Sequence, residues 1–268
     1  MTMNEQKQKA ARLRCDILEM IHTSGSGHPG GSLSVVEILM ALYYNMAKID
    51  PKNPRWEERD RIVLSKGHAA PALYAILADL GYFPKEDLRA FRQLQSHLQG
   101  HPDMHKTPGV DMSTGSLGQG VAVAGGLALA AKKKGAPYQV YAVIGDGEAQ
   151  EGIVWEAAMS ASHYKLDNLT VLLDHNGLQI DGTNDEVMSI GDIVAKYESF
   201  GFHCQTVDGH DIEALVQALN TPVSGQPKFI RCVTNKGRGV SFMCDRFGWH
   251  GKAPNAEEYE TAIKELGV

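Results

Sequence analysis

"VIGDGEAQEG", residues 143–152, carries an apolar run into an aspartate held between two glycines. A carboxylate at the tip of a buried strand usually serves a ligand, and glycines on either side let a backbone or a phosphate come close. The apolar run reads as a strand over 138–144, and the stretch after it as a helix over 151–164. The same alternation continues outward: strand 169–174, helix 189–199, strand 202–207, helix 211–219 and strand 227–233. Toward the N-terminus, 118–134 reads as a buried helix of small residues, 61–64 as a short strand followed by a helix near 70–80, and 34–47 and 5–22 as amphipathic helices. Strands alternating with helices predict an α/β fold, a mostly parallel sheet with helices on both faces. One domain is expected over 1–268, with glycine-rich loops at 24–32 and 235–252.

Composition narrows the function. With 268 residues and 43% hydrophobic, the chain can bury a large core, and its net charge of -6 gives no basic stripe for nucleic acid. Lys132-Lys133-Lys134 closes a predicted helix, where lysines complement the dipole. Cys15, Cys204, Cys232 and Cys244 are scattered without a C-x-x-C pair, which points to reduced thiols in a cytoplasmic protein. The start, MTMNEQKQKAARLR, has no apolar signal core, and GVAVAGGLALAA is too short to span a bilayer.

In a parallel sheet, ligands sit beyond the carboxyl ends of the strands. Chain order puts His68, Gly145-Asp146-Gly147, Asp174-His-Asn-Gly177 and Gly237-Arg-Gly239 there, so these loops are expected on one rim. Asp146 and Asn176 offer hard oxygen donors suited to Mg²⁺ or Ca²⁺, with phosphate oxygens completing the shell. Taken singly, Asp146 reads equally as a helix cap and Asn176 as the start of an Asn-Gly turn. No Cys/His set has zinc spacing, and neither G-x-G-x-x-G in its strand-turn-helix setting nor a Walker loop occurs. His28, His68, His101 and His250 each stand beside Gly or Pro, in "SGHPG", "KGHAAP", "GHPD" and "WHG". Each alone could be an ordinary surface histidine; four such loops suggest a shared pocket for binding phosphate or moving protons. His22, His97, His105, His163, His175, His203 and His210 read as structural.

These motifs together resemble the N-terminal, diphosphate-binding part of transketolase, over nearly the whole chain. "GDG" at 145–147 with Asn176 resembles the thiamine diphosphate fingerprint of that superfamily. "SGHPG" at 26–30, "LSKGHAAP" at 64–71, "GHPD" at 100–103, "TGSLGQG" at 114–120, "DNLTVLLDHNGLQIDG" at 167–182, "DGHD" at 208–211 and "WHG" at 249–251 follow in the family's order. The resemblance implies that Asp146, Asn176 and the Leu178 carbonyl hold Mg²⁺ (or Ca²⁺ or Mn²⁺), and through it the diphosphate. It implies that Gly147 admits a phosphate, and that His68 and His250 face the diphosphate and substrate. Gly115, Ser116 and Leu117 would line the pyrimidine, His28 and His101 would meet substrate hydroxyls, and Glu151 would join a carboxylate network between active sites. Ser116 stands where many members have proline, and Asp103 where glutamate is common. Full-length members carry a further domain with the glutamate that activates the aminopyrimidine. The expectation is therefore one subunit of a split transketolase, active on sugar phosphates only with a C-terminal, pyrimidine-binding subunit in an α₂β₂ assembly. Rival readings are a subunit of a 2-oxo acid dehydrogenase or of a 1-deoxyxylulose-5-phosphate synthase-like enzyme, both of which use GDG…N, and a non-catalytic cofactor-binding subunit.

Overall fold

Each central strand is a continuous apolar run because both of its faces are covered. The computed structural model describes residues 2–267. In chain order its elements are helices α1 (Met3–Ser24), α2 (Pro29–Ser34) and α3 (Val36–Met40), strand β1 (Arg61–Leu64), helices α4 (Ala70–Asp79) and α5 (Gln119–Lys134), β2 (Val140–Gly145), α6 (Gly152–His163), β3 (Leu169–His175), α7 (Asn184–Val187), α8 (Ile193–Ser199), β4 (His203–Asp208), α9 (Ile212–Asn220), β5 (Lys228–Val233) and α10 (Ala256–Leu266). The strands form one sheet in the order β1-β2-β3-β5-β4, and every pairing is parallel.

Successive strand residues point to opposite faces, and here they enter two separate cores. Ile62, Leu64, Tyr141, Val143, Leu172, Ile230 and Cys232 pack with α1, α3, α4 and α9. Val63, Val140, Ala142, Ile144, Val171, Leu173 and Phe229 pack with α5, α6 and α8 on the other side. The register aligns Gly145 with Asp174 and Asp174 with Cys232, so the tips of β2, β3 and β5 end level. α5 comes close to the tip of β1: a Cβ on Gly120 would lie 2.5 Å from Ser65 Oγ, which is why the first turn of that helix carries a glycine. Among the described residues no helix is long and apolar enough to cross a membrane, and all four cysteines are free thiols.

Three sequence expectations change. The single helix expected over 34–47 is instead α2, α3 and a wider-turned stretch over Ala41–Met46. Proline fits the first turn of a helix, so Pro29 starts helical structure inside the expected 24–32 loop. The helix expected from 189 begins only at Ile193, where the Asp192 side chain accepts from Ala195 N at 3.0 Å. α10 was not anticipated, although Asn255 and Glu258 form a reciprocal capping box and Gly267 ends it at φ 67°.

Leu172 is fully buried in the middle strand of the sheet. Leu172→Ala should cost about 2–5 kcal/mol of stability, by the usual cavity penalty for such truncations. Denaturant unfolding checks this, and a loss below about 1 kcal/mol would contradict a core closed on both faces.

Candidate functional site

At the carboxyl rim of the sheet lies a cleft of about 330 Å³, lined by Gly31, Lys66, His68, Gly115, Leu117, Asp146, Gly147, Asn176, Leu178, Lys236 and His250, among others. Of the loops expected to converge, those of His68, Gly145-Asp146-Gly147 and Asn176 do, whereas Gly237-Arg-Gly239 lies off the cleft, Gly239 against Arg14 and Leu266, and its loop enters through Lys236 and His250 instead. His28 joins the cluster, with its ring centroid 5.3 Å from that of His68 and 5.4 Å from that of His250. His68 and His250 are 5.2 Å apart, and His101 stands farther out at 6.5 Å from His28.

Asp146 is 3% exposed and already shaped by its neighbours. Its Oδ2 accepts N–H from Asn176 at 2.8 Å and from Gly177 at 2.9 Å, while Oδ1 lies 2.6 Å from His175 Nδ1. Asn176 Oδ1 accepts Leu178 N–H at 3.2 Å. These bonds aim two oxygen donors and the Leu178 segment into the cleft. Among the described residues no group of three His, Cys, Asp or Glu could hold a metal by itself. The oxygen chemistry of Asp146, Asn176 and the Leu178 segment fits a hard cation that shares its shell with ligand oxygens.

Lys66 and Lys236 are both almost fully buried. Lys66 is ion-paired to Asp174 and donates to Gly31 O at 3.0 Å. Lys236 has neutral partners, Gln179 O at 3.3 Å and His250 Nδ1 at 3.1 Å. Burial lowers the Lys236 ammonium to about 8, Lys66 adds to the fall, and Asp146 and Asp174 oppose it. Burial is also the main reason the histidines stay neutral. His28 falls to about 4, assisted by Arg92, His101 and Lys236, and His250 to about 3, assisted by Lys236, His28 and Lys66. His68 is held well below its usual value by burial and then Lys66, and His101 is lowered by burial and Arg92. A neutral ring offers one donor and one acceptor. His28 Nδ1 is buried without a hydrogen-bond partner among the described residues, a position suited to a ligand hydroxyl.

The glycines fit a phosphate. A Cβ on Gly147 would meet only Gln179, its Cβ at 3.7 Å and Oε1 at 4.0 Å, and one on Gly145 only Lys66 Cδ and Cβ, at 3.6 and 3.8 Å. Protein packing does not demand glycine at either place, so the bare backbone serves the space of the cleft. A diphosphate with a hard cation fits this cradle of bare backbone, buried ammonium and oxygen donors.

Four expected site residues are not among those lining the cleft: His28 and His101, whose rings stand beside it, and Ser116 and Glu151. Ser116 and Glu151 are both exposed, and neither lines the cleft, whereas Gly115 and Leu117 do. Lys66, Lys236, Glu148 and Gln179 line it without having been singled out, and His175, read as structural, touches Asp146. "LSKGH" and "NKGRG" held a clue, since each sets a lysine just beyond a strand tip and beside glycine.

A family model described as the thiamine diphosphate-binding domain of transketolase matches residues 5–268. A 6-deoxy-6-sulfo-D-fructose transketolase subunit of Clostridium sp. (strain MSTE9) is 46% identical over 251 residues, covering 93% of this chain and 91% of its own length. An apulose-4-phosphate transketolase subunit of Actinobacillus succinogenes is 43% identical over 263 residues, covering 98% and 95%. The solved transketolase of Campylobacter jejuni superposes with a TM-score of 0.94 at 36% identity, covering all of this chain but 43% of the larger one. The chain thus spans nearly the whole of the subunit relatives and less than half of that solved enzyme.

The histidine cluster makes stability depend on pH. The folded rings resist protons that the unfolded chain accepts at about 6.5, so the stability they favour is present above that pH and is lost as pH falls toward about 4. Glu37 behaves separately. Burial pushes it up, but Arg14 and His210 hold it down to about 2, so its share is lost only below 4.5. Thermal melts should therefore decline between pH 6.5 and 4.5, and less steeply in a His28→Asn/His250→Asn double variant. An unchanged slope in that variant would contradict the assignment.

Proposed function

This chain belongs to the transketolase family, and on that premise we propose that it is the diphosphate-holding subunit of a two-subunit transketolase. It would transfer a two-carbon ketol unit from a ketose phosphate to an aldose phosphate. The observation that carries the reading is the cleft itself: oxygen donors from two adjacent strand tips, a buried lysine with neutral partners and four clustered neutral histidines. The relatives named as subunits, matched over 91% and 95% of their own lengths, support the split arrangement.

Thiamine diphosphate, once bound, supplies the carbanion chemistry that breaks and re-forms a C–C bond beside a carbonyl. Asp146, Asn176 and the Leu178 carbonyl would hold Mg²⁺, or Ca²⁺ or Mn²⁺ in its place. Gly147 would leave room for a phosphate, and Lys236 would add positive charge beside it. His68 and His250 would face the diphosphate and the reacting sugar; the Lys236 bond to His250 Nδ1 leaves that ring's proton on Nε2, free to donate. His28 and His101 would bind sugar hydroxyls, and Gly115, Ser116 and Leu117 would border the pyrimidine.

The C-terminal, pyrimidine-binding subunit would seat over the cleft in an α₂β₂ assembly. Ile180, Val187 and Met188 expose apolar side chains at 62%, 44% and 60% in the segment that follows Leu178, and such surface suits a partner. Ser116 and Glu151, exposed in this chain, would be covered by that partner, with Glu151 in a carboxylate network between sites. A single domain over 1–268 and a cytoplasmic setting, in keeping with four free thiols, complete the reading.

Asp146→Ala should abolish the divalent-metal dependence of thiamine diphosphate binding in calorimetry, and unchanged affinity would remove Asp146 from the metal site. Ketol transfer from a ketose phosphate should be absent from the chain alone and should emerge when a C-terminal, pyrimidine-binding transketolase subunit is supplied. Equal activity from the chain rigorously free of any partner would overturn the two-subunit reading.

A further inference from the structure

Glu148 lies two residues past Asp146 and belongs to none of the ligand sets named above. It is 1% exposed and borders the cleft. Its Oε1 accepts the Ser65 hydroxyl and the Gly118 N–H, the latter at 2.8 Å, and its Oε2 accepts the Gly145 N–H at 3.2 Å. Ser65 Oγ in turn accepts Val121 N–H at 3.0 Å. The donors come from three separate segments: Ser65 follows β1, Gly145 ends β2, and Gly118 and Val121 flank the start of α5. The packing between them is tight. A Cβ on Gly67 would lie 2.8 Å from Gly115 N, and Gly118, at φ 81°, would put one 2.4 Å from Ile153 Cγ2. Just before this loop, Thr114 Oγ1 donates to Leu64 O at 2.8 Å and so adds a tie to β1.

We propose that Glu148 is a positioning residue that clamps the 115–118 loop to the tip of β2, and so sets the span between the two walls of the cleft. One wall carries Gly115 and Leu117, and the other carries Asp146. This rests on the thiamine diphosphate reading of the cleft. A ligand that touches both walls depends on the clamp, whereas one held by the metal wall alone does not.

Glu148→Gln preserves shape but not acceptors. Its NH₂ can donate to the Ser65 hydroxyl, which also accepts, but meets only a donor at Gly145 N–H, so the amide turns its nitrogen to Ser65 and the buried Gly118 N–H loses its partner. Calorimetry on the full chain with Mg²⁺ should show thiamine diphosphate binding weakened about tenfold or more, the usual effect of a lost charge-assisted bond to a buried donor. Inorganic pyrophosphate, which needs only the metal wall, should change by less than about twofold. Hydrogen exchange on the unliganded chain gives a second readout, with Gly118 and Val121 amides exchanging about tenfold faster while those of β3 and β5 hold their rates. Ser65→Ala should move the same amides in the same direction. Equal weakening of both ligands, no weakening of thiamine diphosphate, or unchanged exchange at Gly118 would overturn the clamp. If the unsubstituted chain binds neither ligand, the cofactor reading falls, and exchange at Gly118 still decides the clamp.

Discussion

Lys66 and Asp174 bury opposite charges where β1 and β3 end, at 1% and 0% exposure. Neither charge could be there alone, because removing one partner of such a pair costs about 3–5 kcal/mol. The site meets the desolvation cost with further bonds. Asp174 also accepts the hydroxyls of Ser34, at 2.6 Å, and Thr234, and Lys66 also donates to Gly31 O. One buried cluster thereby joins α2, β1, β3 and the segment after β5. The residues proposed for function lie a step or two beyond each anchor. His68 follows Lys66, His175 and Asn176 follow Asp174, and Lys236 follows Thr234, while His28 stands at the cap of α2. Any disturbance of the pair would move all four of these segments together.

The cluster also fixes the electrostatics. With Asp174 committed to Lys66, the cation facing the cleft with neutral partners is Lys236. The loss of water first, and then the repulsion of the buried lysines, keep the nearby rings neutral. An entering diphosphate reverses both influences by supplying negative charge. Linkage requires that it raise the affinity of Lys236 and the adjacent histidines for protons. The same field that discourages protonation of the free chain thus favours a multiply charged anion, while the Asp146 carboxylate opposes one that brings no cation.

Much of this architecture was legible in the sequence because parallel strands buried on both faces are short apolar runs cut off by glycine or polar residues. Arg61–Leu64 and Leu169–His175 appear within one residue of their reading for that reason. The rim histidines were legible because a histidine between glycines has little packing to do. The inward turn of Lys66, Asp174, Glu148 and Lys236 was not. A charged residue after a strand looks alike whether it turns inward or to solvent, and only the sheet register makes Lys66 and Asp174 neighbours across 108 positions of sequence. The break between α2 and α3 was hidden similarly, since Ser34 turns its hydroxyl to Asp174, a partner 140 residues away. Ser116 and Glu151 could not be placed because their surroundings in this chain are solvent.

The central claim is that the tips of β2 and β3 hold a metal through which a diphosphate is bound. Crystals grown with Mn²⁺ and thiamine diphosphate would test it through the anomalous signal of the manganese. The account predicts one strong peak between the Asp146 carboxylate and Asn176 Oδ1, beside the Leu178 carbonyl, with diphosphate density between it and Lys236. Diphosphate bound in the cleft with manganese elsewhere, or manganese at Asp146 with the diphosphate outside the cleft, would contradict it.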